Sequence, residues 1–75
     1  MDDLLAQAKE LAKEAIEEKF GEIDHFVESW DIHDTRPMLG YDGFEILYET
    51  RREGRHGAVI SVRGKDKEMD VEFVF

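Results

Sequence analysis

Seventy-five residues form one small domain, 1–75, and 41% apolar content with eight aromatic residues is too rich for a disordered chain. No apolar run reaches the roughly 20 residues that span a bilayer, the opening MDDLLAQAKE has no signal-peptide pattern, and no cysteine is present to build a disulfide, a thiolate metal site or a thiol nucleophile. Nineteen acidic against ten basic residues leave a net charge of −9, which opposes direct binding to nucleic acid or anionic membranes because both are themselves anionic.

Residues 3–20 carry Leu4, Leu5, Ala8, Leu11, Ala12, Ala15, Ile16 and Phe20 at three- and four-residue steps, the stripe of an amphipathic helix. Asp2 or Asp3 is placed to cap it, and Gly21 to follow its last turn. After Gly21 the apolar period changes from 3.6 to 2. Four strands are predicted at about 26–33, 43–52, 57–63 and 68–75, with Phe26, Trp30, Ile32, Phe44, Ile46, Tyr48, Ala58, Ile60, Val62, Met69, Val71, Phe73 and Phe75 inward. The connections EGRHG (53–57) and GKDK (64–67) are hairpin-sized, and short links rule out parallel crossovers. The expected fold is therefore α+β: an N-terminal amphipathic helix across one face of a four-stranded antiparallel sheet, an α-β-β-β-β meander. Leu11, Ile16, Trp30, Ile46, Ile60, Val71 and Phe73 are the expected core. One residue conflicts with this scheme. Glu28 shares the parity of Phe26 and Trp30, so the strand begins later, a bulge resets its register, or Glu28 lies at the sheet margin.

Signals for chemistry are sparse. There is no GxSxG elbow and no GxGxxG or GxxxxGK[ST] phosphate loop, and residues 24–35 lack the central glycine of a calcium-binding loop. Asp31 and His33, two apart on a strand, make a two-ligand metal candidate without a third partner. Arg51, Arg52, Arg55 and His56 cluster at a hairpin tip, with Glu49 and Glu53 interleaved. The expectation is a non-enzymatic protein with no cofactor and no metal, in the reducing cytoplasm.

Charge position is more informative. Between Glu14 and Asp34 eight carboxylates face Lys19 alone, whereas 36–56 is balanced. The residues expected to contact a partner are Glu14, Glu17, Glu18, Glu22, Asp24, Asp31 and Asp34. Carboxylates at i,i+4 on a helix or i,i+2 on a strand lie about 6–7 Å apart, close to twice the rise of DNA phosphates along one strand. In size and charge, though not in motif, the chain resembles small acidic phage-encoded inhibitors of the anti-CRISPR and anti-restriction kind. That resemblance implies a decoy occupying a basic, nucleic-acid-binding surface of another protein. The loop 34–43 offers a second contact through Arg36, Met38 and Tyr41, with Leu39 completing an apolar trio that could instead fold back as a lid. The alternatives are an immunity- or antitoxin-type protein, or an assembly protein whose outer sheet face (Leu47, Val59, Val74) or exposed edge forms a homodimer.

Overall fold

The computed structural model describes residues 3–74; the expected caps Asp2 and the Asp3 side chain, the side chains of Thr35 and Leu39, and Phe75 lie outside the described set. The chain runs α1 (Asp3–Phe20), β1 (Ile23–Asp31), α2 (Ile32–Thr35), a 3-10 turn (Pro37–Leu39), β2 (Asp42–Thr50), β3 (Gly54–Arg63) and β4 (Glu68–Phe73). The strands form one antiparallel sheet in the order β1-β2-β3-β4, the α+β meander that the periodicities predict. No described helix is long and apolar enough to cross a membrane.

The helix closes where expected. The Gly21 N–H donates to the Glu17 carbonyl at 3.0 Å, and Gly21 then turns away at φ +104°, a backbone angle that side chains disfavour. Ala8, Ala12 and Ile16 are fully enclosed against Ile46, Tyr48, Ala58 and Ile60. The small alanines let the helix backbone approach the sheet, and the Tyr48 hydroxyl donates to the Lys9 carbonyl at 3.0 Å. Leu11, Val71 and Phe73 form the margin of this core, not its centre. Gly43 serves the sheet itself: a Cβ there would lie 2.4 Å from the Ile60 carbonyl oxygen, so β2 and β3 approach as they do only because the side chain is missing.

Trp30 departs from the sequence expectation. Phe26 pairs with Tyr48 and faces α1, but the register shifts before Glu28, which pairs with Leu47. Val27 is the extra residue of a bulge. The bulge reverses the parity, so Glu28 and Trp30 project from the opposite face. A second shift separates Ile23 from His25. The strand also stops earlier than predicted, because the Asp31 carboxylate accepts the His33 N–H at 2.8 Å and starts α2. Ile32 leaves the strand and is buried in that turn.

The face away from α1 has its own cover. Leu47 and Val59 are only 7% and 6% exposed there, and Glu45 is buried between them and Trp30 along the ladder. Segment 32–41 folds over this face: α2 packs on β2, the Arg36 Nε lies 3.3 Å from the Glu45 Oε1, and Tyr41 shares a concavity with Val59 and Glu72. The apolar spot expected of Leu47, Val59 and Val74 is thus buried, apart from half-exposed Val74.

Candidate functional site

The acidic residues divide into two groups once folded. Glu10, Glu14 and Glu18 are exposed at successive i,i+4 steps of α1, with Glu17 half-buried beside them. This ridge runs about 12 Å along the helix, opposite the face that carries Ala8, Ala12 and Ile16. No ion pair among the described residues involves any of the four. Two of the three helix lysines are turned toward aromatic rings: the Lys9 ammonium sits 4.1 Å from the Phe26 centroid, and that of Lys19 lies 4.5 Å from the Phe73 centroid. The third, Lys13, stands three residues after Glu10 and four before Glu17, and makes no ion pair among the described residues. The field of the ridge reaches the sheet. Burial pushes the Tyr48 hydroxyl above its ordinary pKa, and the negative charges of Glu10 and Glu17 push it further.

The second group gathers around His33 at the opposite end of β1 from the α1–β1 turn. The His33 Nε2 is 2.8 Å from the Asp42 Oδ1, a link that ties α2 to the start of β2. That hydrogen bond raises the His33 pKa above 6.5, and the charges of Asp31, Asp42 and Asp34 act in the same direction against the opposing effect of desolvation. Asp31 is engaged in capping α2, and Asp34 is exposed. No group of three or more His, Asp or Glu among the described residues is placed to hold a metal ion.

The other sequence candidates separate. Glu22 lies 3.7 Å from Arg51, and Asp24 pairs with its neighbour His25 at 2.8 Å. Arg55 bridges to Glu49 across the hairpin, and His56 turns inward to stack on Phe20 with 3.6 Å between centroids. The basic hairpin tip therefore does not act as one cluster. In the 34–43 loop, Arg36 is spent on Glu45, Tyr41 is half-buried, and Met38 is 86% exposed. The loop is a lid through Arg36 and Tyr41, while Met38 faces solvent.

Glu10 is the residue that sequence reasoning missed. Lys9 and Lys13 flank it, so a count along the chain begins the acidic run at Glu14. The i,i+4 step to Glu14 was the available signal. Comparison with protein-family models, curated proteins and solved structures finds no match.

Proposed function

We propose that the protein is a small, non-enzymatic protein-binding module whose α1 ridge occupies a basic, nucleic-acid-binding surface of a partner in the cytoplasm. One observation carries this reading: Glu10, Glu14 and Glu18 stand on the solvent side of α1 with no ion pair among the described residues, while two of the three helix lysines, Lys9 and Lys19, are held over aromatic rings. Like charges at i,i+4 destabilise a helix. Packing gains little from Glu10, Glu14 and Glu18, because all three are exposed. A row of carboxylates spaced about 6 Å apart instead suits guanidinium and ammonium groups spaced to hold alternate phosphates. The chain's size and net charge of −9 support the same reading.

The test is competition. A partner captured on the immobilised protein should be released by duplex nucleic acid and should lose its own affinity for nucleic acid when this protein is added. A variant with Glu10, Glu14 and Glu18 changed to Lys should capture nothing, with its circular dichroism unchanged. Asp31 is unsuitable for that reversal, because its carboxylate starts α2. Capture by the reversed variant, or a partner that keeps its nucleic acid, would refute the proposal.

A further inference from the structure

The two edges of the sheet are built differently. The β1 edge carries two register shifts within six residues, Ile23 to Glu28, and such bulges spoil an edge as a template for another strand. The β4 edge carries none: its pairing runs without interruption from Ala58–Phe73 to Arg63–Glu68.

The phase of that ladder fixes what β4 offers. The Val74 N–H donates to the Gly57 carbonyl at 3.0 Å, so Gly57 and Val74 are a hydrogen-bonded pair. Antiparallel pairs alternate. Val59–Glu72 and Ser61–Asp70 are then hydrogen-bonded too, and the backbone N–H and C=O of Met69, Val71 and Phe73 point away from β3. The side chains of the same three residues are half-buried against the α1 core, leaving an apolar margin along this edge. On the other face Glu68, Asp70 and Glu72 are all exposed. Beside them lies a concavity of about 430 Å³ lined by Tyr41, Val59, Ser61, Arg63 and the β4 residues Asp70, Val71 and Glu72. Asp70 is held by Arg63 at 3.1 Å, whereas no ion pair among the described residues involves Glu72.

We propose that β4 is a second binding surface, separate from the helix ridge, which accepts an extended basic and apolar segment of a partner protein as a fifth strand. The added strand would bond to the backbone of Met69, Val71 and Phe73 and continue their apolar row under α1. Its alternate positions would present Lys or Arg to Asp70 and Glu72, with one long basic side chain lying in the concavity against Tyr41. Charge selects this occupant over a second copy of the chain. Pairing β4 with β4 would set Glu68, Asp70 and Glu72 against the same three carboxylates, and like charges directly opposite destabilise a sheet.

The probe is a capped peptide of about seven alternating lysines and valines, long enough to cover β4, followed by amide NMR and fluorescence anisotropy. The discriminating variant is Val71→Pro. It removes an N–H that points outward and leaves the β3–β4 bonds in place, a position where an edge strand tolerates proline. The expected result is shifts confined to β4 and its concavity, with affinity falling about tenfold or more in Val71→Pro and again in Glu72→Lys. A scrambled peptide of the same composition should bind no better than Val71→Pro binds the original. Binding that survives Val71→Pro but vanishes when Glu10, Glu14 and Glu18 are reversed would overturn this proposal while supporting the ridge. A dimer of the parent chain that Val71→Pro dissociates would also overturn it, since the edge would then belong to a second copy. Should Val71→Pro unfold, Glu72→Lys with the scrambled peptide makes the same decision.

Discussion

Changing Glu14 to Lys should make the protein more stable while weakening its proposed interaction. Glu14 is exposed, with Glu10 one turn before it and Glu18 one turn after. Each like-charge i,i+4 contact costs about 0.2–0.5 kcal/mol, and each opposite-charge contact contributes a similar amount. A lysine at 14 converts both contacts at once, for about 1–2 kcal/mol before screening and about 1 kcal/mol at moderate salt. Glu and Lys have nearly equal helix propensity, so the backbone does not confound the comparison. In a domain of this size, about 1 kcal/mol corresponds to a Tm rise of about 4–8 °C. Thermal unfolding followed by circular dichroism, at low salt and again near 0.5 M, isolates the electrostatic part, because that part fades with screening. Glu14→Gln should fall about midway, since it removes the repulsion without adding attraction. A Glu14→Lys protein that melts at or below the parent temperature in low salt would refute the reasoning, because the ridge would then carry no electrostatic strain.

Gly43→Ala should destabilise by about 3 kcal/mol or more, read from the urea midpoint, because its Cβ would lie 2.4 Å from the Ile60 carbonyl oxygen in the middle of the sheet. Arg36→Ala should cost about 1–3 kcal/mol by leaving the Glu45 carboxylate buried without its partner, less than for a fully buried pair because the Arg36 side chain is 43% exposed. Adding Glu45→Leu should recover most of that loss, and a double variant no better than the single one would show the pair is not what binds the lid. Because the folded His33 pKa is raised above 6.5, its link to Asp42 is fully stabilising below that pH and is lost as pH rises through the raised value. An NMR titration should show the amides of α2 and the start of β2 moving together with the His33 ring, and His33→Gln should abolish that joint movement.

The helix and the meander were legible because each rests on local periodicity. Ala8, Ala12 and Ile16 repeat at four-residue steps, and Ile46 and Tyr48, or Ala58 and Ile60, alternate. Trp30 was not legible. A bulge at Val27 leaves no composition signal, yet it carries every later side chain of β1 to the other face. Glu28 held the only warning, a carboxylate on what would otherwise have been the core face. A folded-back loop was legible as one of two readings of its apolar residues, but the tie that holds segment 32–41 on the second sheet face was not, since it depends on Arg36 meeting Glu45 across nine residues and a turn. Of the acidic residues, Glu14, Glu17 and Glu18 on the helix followed from spacing and Glu10 was passed over between two lysines, whereas the capping role of Asp31 and the pairing of Glu22 with Arg51 required knowing where β1 ends and which loops meet.

The most direct measurement is the salt dependence of the affinity between this protein and the basic partner it captures, for the parent and for the variant with Glu10, Glu14 and Glu18 changed to Lys. The parent should bind fast and weaken steeply as salt rises toward about 0.5 M, and the reversed variant should show no binding at any salt. Affinity that is flat in salt, or that persists in the reversed variant, would contradict the proposal that the helix ridge is the binding surface.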